Sequence, residues 1–402
     1  MGLSSRFAFH ARNRHGADCR HDRTQAAAEP CGHGGRAVAG LILAASLTAA
    51  FGASAETIRV ATFNAELSRK GPGLLLKDIL GGKDRQIAAA ASVIADAAPD
   101  ILLLTGFDYD LDGTALAAFE ARIAAIGQGY PHRFALRPNT GMATGIDLDG
   151  DGKAGGPRDA QGFGRFAGEG GMAILSRYEI AAGGVADLSD FLWRDLPGGL
   201  IDGAGLSDAA RAVQRLSTTG HWAVPVDLPG GRRLTLLAWY ATPPVFDGPE
   251  DRNGRRNRDE AAFWLRYLDG ALPMAPPDAP FVLLGDANLD PVDGDGRADA
   301  LGALLADPRL TDPAQASAGA ARAAAEQGGA NAGQKGDPAR DTADWPDDPA
   351  GPGNLRVDYV LPSADLEVAG GGVWWPAPGE AGAGAAAEAS RHRLVWVDIT
   401  LP

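Results

Sequence analysis

The sequence predicts one layered α/β (α+β) domain in which mixed strands and helices share a core. Three observations predict it. Short apolar runs of strand length alternate with alanine-rich stretches of helical spacing along most of the chain. No internal repeat and no clear linker divides that pattern. The 402 residues are 45% apolar and 22% charged, enough to bury a sizeable core. The 55 glycines and 27 prolines require long turns between the elements. A formal charge of −14 argues against a surface coated with basic residues for sequence-blind nucleic-acid binding, but leaves room for a local basic patch.

Residues 1–55 are expected to be an export signal with its upstream region, removed from the mature chain, and residues 56–402 the folded domain. Arg6, Arg12, Arg14, Arg20 and Arg36 precede the apolar run from Ala37 to Phe51, and Ala53-Ser-Ala55 matches a small-x-small cleavage pattern. The run is short and alanine-rich for a membrane span, so no stable span is expected after cleavage. Cleavage would remove Cys19 and Cys31, leaving a mature chain without disulfides, and would leave only His132, His221 and His392 for proton chemistry near neutral pH. A secreted or periplasmic location follows.

The elements then read in order. Thr57-Ile-Arg-Val-Ala-Thr-Phe63 alternates with β-branched residues and predicts a strand. Asp84 to Ala98 has helical spacing and stops at Pro99, and Ile101-Leu-Leu-Leu104 is short and wholly apolar, as a buried strand is. Thr114 to Ile126 predicts a second amphipathic helix. Residues 171–176, 234–240, 281–285, 355–361 and 393–399 predict further central strands, and Asp259–Leu268 and Asp299–Leu305 predict helices. Asp312 to Gly353, rich in Ala, Gly, Asp and Pro, is expected to be a long surface loop with one helical turn at most.

Polar residues gather at the ends of these strands. Asn64 and Glu66 follow the first, Tyr240 closes another, and Asp286 and Asn288 follow the strand ending at Gly285. Asp358 lies inside a strand and His392 precedes the last one. Carboxylates, amides and one histidine so placed suit a phosphate-ester hydrolase. A carboxylate-held histidine exchanges protons with attacking or leaving oxygens, and amides orient water or stabilise charge developing on phosphorus. Singly, each has an ordinary explanation in turn chemistry or a buried hydrogen bond.

Thr62-Phe-Asn64, Gly171-Met-Ala-Ile-Leu-Ser176, Gly285-Asp-Ala-Asn288, Arg356-Val-Asp-Tyr359 and Ser390-Arg-His392 occur in the order seen in the endonuclease/exonuclease/phosphatase superfamily. The chain resembles that group over residues 56–400. It is similar in particular to a bacterial exported branch carrying the stretch Thr242-Pro-Pro-Val-Phe-Asp-Gly-Pro-Glu-Asp-Arg-Asn-Gly254. The superfamily includes pancreatic-type deoxyribonucleases, apurinic/apyrimidinic endonucleases, sphingomyelinases and inositol-polyphosphate phosphatases. The resemblance implies a single-domain, four-layer α/β/β/α sandwich with two packed mixed β-sheets. It implies metal-dependent hydrolysis of a phosphodiester or phosphomonoester, with Mg²⁺ or Mn²⁺ as the ion. The substrate would be a phosphorylated small molecule, a lipid head group or a nucleic acid. Asn64 and Tyr240 would contact phosphate, Asp286 and Asn288 would orient the attacking water, and His392 backed by Asp358 would face the phosphate. Glu66 would stand on the metal side.

Two departures from the pattern matter. The metal-binding glutamate position reads Thr105-Gly106, and the Ser-Asp-His motif reads Ser390-Arg391-His392. Gly106 offers no ligand and Arg391 would repel a cation, so the metal side is expected to be depleted. Asp108 and Asp110 would share a face with Gly106 if the strand continues, and with Glu66, which the resemblance places close by, they would restore it. Alternatively Arg391 would take the cation's place and clamp phosphate, favouring binding over turnover. A catalytically inactive phosphate-ligand or partner-binding protein on the same fold is the competing expectation.

Two secondary features stand apart. Asp147-Leu-Asp149-Gly-Asp151-Gly152 resembles the start of a calcium loop, but position 12 is Arg158 and no helices obviously flank it, so a plain Asp/Gly turn explains it better; a calcium-stabilised scaffold is the alternative it would support. Arg252, Arg255, Arg256 and Arg258 form a basic cluster just before the helix expected from Asp259, suited to phosphate or to pairing with Glu250, Asp251, Asp259 and Glu260.

Overall fold

The computed structural model describes residues 56–278, 280–348 and 351–400. The expected leader, its cleavage site and both cysteines lie outside the described residues. Strands β1 (Thr57–Asn64), β2 (Ile101–Phe107), β3 (His132–Phe134) and β4 (Gly171–Ser176) build the first sheet, and β5 (Glu179–Ile180), β6 (Ala186–Asp187), β7 (Gly220–Leu228), β8 (Arg232–Tyr240) and β9 (Phe281–Asp286) begin the second. A ribbon, β10 (Ala343–Asp344) with β11 (Asn354–Leu355), precedes β12 (Asp358–Pro362), β13 (Glu367–Val373) and β14 (Val395–Thr400). The sheet orders are β13-β14-β1-β2-β4-β3 and β12-β9-β8-β7-β5, with β6 also on β7. Both sheets mix parallel and antiparallel pairs: β1 runs parallel to β2 but antiparallel to β14, and β9 parallel to β8 but antiparallel to β12.

The side-chain period of two settles the layers. Ile58, Val60, Ile101, Leu103, Val395 and Val397 face Leu234, Leu236, Val282, Leu284 and Val360 across the middle of the sandwich. The opposite row of the first sheet, including Phe63, Leu102 and Leu104, packs against helices α1 (Leu74–Gly81), α2 (Arg85–Ala97) and α3 (Thr114–Ala124), with α8 (Ala383–Ala389) beside them. Outside the second sheet, Leu237, Trp239 and Leu283 pack against α5 (Arg252–Leu268) and α6 (Asp299–Leu305). The result is the α/β/β/α order expected of the sequence, built as one domain over residues 56–400. Burying each large aliphatic or aromatic side chain in these layers contributes about 1.5–3 kcal/mol. Asp84 starts α2 by accepting the Ile87 N–H at 2.9 Å, as an N-cap should. The short α4 (Asp208–Val213) lies in the connection before β7.

Several elements differ from expectation for identifiable reasons. Strand β7 carries Pro225, which weighs against a central strand. Its partner Thr235 donates its N–H to Pro280 on the other side, so the missing donor of Pro225 points away from β8 and into the break between β5 and β6. Strand β13 contains Gly370, Gly371 and Gly372; a Cβ on Gly372 would meet the Trp396 ring at 3.0 Å. Residues 355–361 are not one strand, because Arg356 and Val357 separate β11 from β12. The stretch 312–353 carries a true helix, α7 (Ala318–Gln327), whose alanines read equally well as loop. Finally, α5 begins at Arg252 and not near Asp259, so the basic cluster forms the first turns of a helix.

Candidate active site

The inner-facing row of each central strand changes from apolar to polar at the same edge of the sandwich. On β1 the row reads Ile58, Val60, Thr62, Asn64; on β8 Leu234, Leu236, Ala238, Tyr240; on β9 Val282, Leu284, Asp286; and on β12, in reverse, Val360, Asp358. Register holds the last three side by side, with Asp286 opposite both Tyr240 and Asp358. Asn64 enters from the other sheet. Its Nδ2 donates to Asp286 Oδ2 at 2.9 Å and lies 3.4 Å from the Tyr240 hydroxyl and 3.5 Å from His392 Nε2.

His392 stands before β14 with Nδ1 2.9 Å from Asp358 Oδ2 and 3.9 Å from Asp286 Oδ2. Burial alone would lower its pKa, but the charges of Asp358 and then Asp286, together with the Asp358 hydrogen bond, outweigh that and raise it to about 9. Burial, then the neighbouring Asp358 charge, pushes Asp286 above the ordinary carboxylate range. A pKa of about 9 keeps His392 protonated at neutral pH, and the residue lines the cleft.

Three residues steer this pair; Ser390 belongs to the Ser390-Arg391-His392 motif, whereas Thr342 and Trp345 carry little signal in their own sequence context. The Thr342 hydroxyl donates to Asp358 Oδ2 at 3.0 Å and accepts the N–H groups of Val357 and Asp358. The Trp345 ring meets the His392 ring edge-on, centroids 5.3 Å apart. Ser390 Oγ donates to the Asn64 carbonyl at 2.7 Å and accepts the His392 N–H at 3.0 Å, which ties the histidine loop to the end of β1. Thr342 and Trp345 come from the stretch expected to be a plain surface loop. Trp345, its sole aromatic residue, was the signal available.

The site opens on a cleft of about 1200 Å³. Asn288, Arg252, Glu66 and Arg391 reach its wall. Asn288 sits at φ 49°, held there as its N–H donates to Asp286 Oδ1 at 2.7 Å and its Nδ2 to the Ala241 carbonyl at 2.9 Å. A non-glycine residue in the left-handed region at such a place is a strained feature often found at functional sites. Arg252 keeps contact with the cleft but spends Nε and Nη1 on the Ala204 and Leu148 carbonyls.

The remaining sequence-predicted site residues are committed to other partners, although Arg256 still touches the cleft lining. Asp108 is not beside Glu66 as a ligand: its oxygens accept from Ser68 Oγ, the Arg69 N–H and the Gly170 N–H, so the chain after β2 turns into a hydrogen-bonded loop instead of continuing as strand. Arg256 is not a phosphate ligand. It is buried, with its donors on the carbonyls of Gln161, Arg215, Leu216 and Ser217. Arg255 lies outside the cleft lining and bonds the Glu250 carbonyl, and Arg258 pairs with Asp259 and Asp299. Helical periodicity, at about 100° per residue, scatters a cluster that looked continuous along the sequence.

Gly106 has a structural explanation. It is the extra residue of a bulge between β2 and β4, at φ 67°. A Cβ there would lie 2.4 Å from Asn64 Oδ1, which itself accepts the Glu66 N–H at 3.1 Å. Glu66, at φ 48°, meets Arg391. Its Oε1 accepts from Arg391 Nε at 2.9 Å and from Nη2, and its Oε2 from the Arg391 backbone N–H at 2.9 Å, with Ser390 Oγ 3.2 Å from Oε2. Burial would raise the Glu66 pKa, but the Arg391 side chain and backbone bonds outweigh it and hold it below its usual value.

These residues do not fit the divalent ion that the fold implies. Mg²⁺ takes oxygen ligands in octahedral geometry and keeps several waters. Both Glu66 oxygens are committed, position 106 has no side chain, and Asp108 is turned away. Among the described residues, two triples bring metal-capable atoms within 4.8 Å: Asp286 with Asp358 and His392, and Asp147 with Asp149 and Asp151. In the first, Asp286 and Asp358 expose no surface to water and the His392–Asp358 hydrogen bond occupies the facing edges. In the second, Asp147 already accepts the N–H groups of Gly150, Asp151 and Gly152, as an Asx-type turn does.

A two-sheet α/β/β/α sandwich with a buried histidine–carboxylate pair below a polar cleft is the arrangement of this chain. The Endonuclease/Exonuclease/phosphatase family model matches residues 61–392, and the chain belongs to that family. No curated protein matches the chain. Among solved structures it is similar to an endonuclease/exonuclease/phosphatase from Beutenbergia cavernae (19% identity, TM-score 0.51), covering 86% of this chain and 72% of that one. It also aligns with a Bacteroides vulgatus member (15%, TM-score 0.46; 86% and 100% covered) and with sphingomyelinase C from Streptomyces griseocarneus (15%, TM-score 0.41; 85% and 99% covered).

Proposed function

We propose that the protein is an exported hydrolase of phosphate esters, acting on a phosphodiester or phosphomonoester bound in the cleft. The observation that carries this is the His392–Asp358 pair, charged by its surroundings, set 3.5 Å from an asparagine amide that bridges the two sheets. In this reading Asn64 and the Tyr240 hydroxyl hold non-bridging oxygens, and Asn288 orients a water opposite the leaving group. Asp286 positions Asn64 and Asn288 from behind. The water oxygen bonds to phosphorus as the ester P–O bond breaks. His392 gives its Nε2 proton to the leaving oxygen, and the proton shed by the water restores the imidazolium. Family members commonly use a divalent ion for part of this charge stabilisation; no step here is assigned to one. The substrate is proposed from the same chemistry as a phosphorylated small molecule, lipid head group or nucleic acid. Export rests on the leader pattern of residues 37–55. Among the described residues no helix is long and apolar enough to cross a membrane.

Hydrolysis of bis-p-nitrophenyl phosphate and of simple phosphomonoesters tests the proposal. Turnover is expected in the wild-type chain and a loss of about 10²–10⁴-fold in His392→Ala. Absence of turnover on every ester tried, with and without Mg²⁺, Mn²⁺ or Ca²⁺, would leave the binding-protein reading in its place. The committed Glu66–Arg391 pair is the observation that favours that second reading.

A further inference from the structure

We propose that Arg391 is the phosphate-binding cation of this site, standing on Glu66 where a metal ion would stand, so that phosphate binds without any divalent metal. The inference rests on the reading of the cleft as a phosphate-ester site. Three independent placements support it. Both oxygens of the Glu66 carboxylate are engaged, chiefly by one residue: they receive the Arg391 backbone N–H, Nε and Nη2, with Ser390 Oγ 3.2 Å from Oε2. Position 106 is closed to a second carboxylate by its bulge geometry and by Asn64 Oδ1 at 2.4 Å from any Cβ. Arg391 nonetheless remains 59% exposed and lines the same cleft as Asn64, Tyr240 and His392.

Guanidinium chemistry completes the picture. The plane of Arg carries five donors, and one edge can hold a carboxylate while the other presents two parallel N–H groups to phosphate. Here the Nε/Nη2 side is taken by Glu66, while Nη1 has no partner among the described residues. A carboxylate–guanidinium–phosphate chain thus replaces a carboxylate–metal–phosphate chain. It carries one positive charge fewer and lacks a Lewis acid, which suits firm binding with slow turnover.

Calorimetric titration of the purified chain with inorganic phosphate tests this. In EDTA, phosphate is expected to bind, with affinity changing less than about twofold when Mg²⁺ is supplied. Arg391→Gln should weaken binding about tenfold or more, and Arg391→Lys less, because one point charge replaces a two-pronged contact. Thermal melting checks that both variants fold. Electron paramagnetic resonance with Mn²⁺ should show no stoichiometric ion that Glu66→Gln removes. Phosphate binding that needs Mg²⁺ or Mn²⁺, no phosphate binding in any buffer, an Arg391→Gln variant that binds like wild type, or one Mn²⁺ per chain lost with Glu66→Gln would each overturn the inference. Metal-dependent ester hydrolysis would sink this inference while leaving the proposed activity standing. Metal-free phosphate capture with no ester hydrolysed would do the reverse.

Discussion

Replacing Gly106 with alanine adds one methyl group whose destination the structure specifies. The residue sits at φ 67° in a bulge, where an L side chain costs about 1–2 kcal/mol. The new Cβ would lie 2.4 Å from Asn64 Oδ1 and 3.2 Å from the Glu66 nitrogen. Asn64 must therefore move, which gives up the 3.1 Å hydrogen bond that holds Glu66, worth about 1 kcal/mol. The total is about 2–3 kcal/mol. With an unfolding entropy of about 2.1 cal/mol/K per residue, that lowers the melting midpoint by roughly 3–4 °C. Because Asn64 Nδ2 also holds Asp286, the same shift should weaken phosphate binding about tenfold, read by calorimetry alongside the melt. Gly106→Glu should behave like alanine and gain no Mn²⁺. An unchanged midpoint with unchanged phosphate affinity in Gly106→Ala would refute the claim that this position is closed to a side chain.

Other outcomes follow from the same geometry. His392 is raised to about 9, and its charged form is the proton donor, so the hydrolysis rate should hold through neutrality and fall as pH rises through about 9; a rate still climbing at pH 10 would exclude that role. Burial, then the charges of Asp290, Asp293 and Asp337, push Asp341 up to about 7, and its Oδ2 has no hydrogen-bond partner. The folded state thus holds that proton more tightly than the unfolded chain, and stability should decline between about pH 4 and 7 and stay low above. Asp341→Asn should recover on the order of 2 kcal/mol at pH 8, after allowance for solvent screening, and almost nothing at pH 4 by urea denaturation. Thr342→Val removes the donor to Asp358 and the acceptor for two backbone N–H groups. It should cost about 1–3 kcal/mol and shift the His392 pKa seen by NMR, whereas a merely structural loss would leave that pKa in place.

The central strands were legible because their apolar runs are short and either alternate or stay wholly apolar, and the site could be read where those runs end in Asn64, Tyr240, Asp286 and Asp358. What stayed hidden depends on contacts that sequence neighbours cannot report. Pro225 is tolerated in β7 only because its donor-free side meets a gap between two short strands. The glycines of β13 serve a tryptophan on the adjacent strand. Arg256 looked like the equal of Arg252 until helical rotation carried it to the interior. Asp108 looked like a strand residue, but the bulge at Gly106 turns the chain before it. Thr342 acts on a carboxylate 16 positions away, and nothing local marks it.

Arg256 has a wider meaning for how the molecule would respond to change. One guanidinium gathers the carbonyls of residues 161, 215, 216 and 217, and Glu260, one turn further along α5, receives the N–H groups of Thr218 and Thr242. A single helical turn thus anchors three separate stretches beside the cleft, at 161, 215–218 and 242. Remodelling the rim by loop exchange would leave the catalytic floor intact so long as these two anchors are kept. Losing either one would blur the mouth of the cleft without touching a group that meets the substrate.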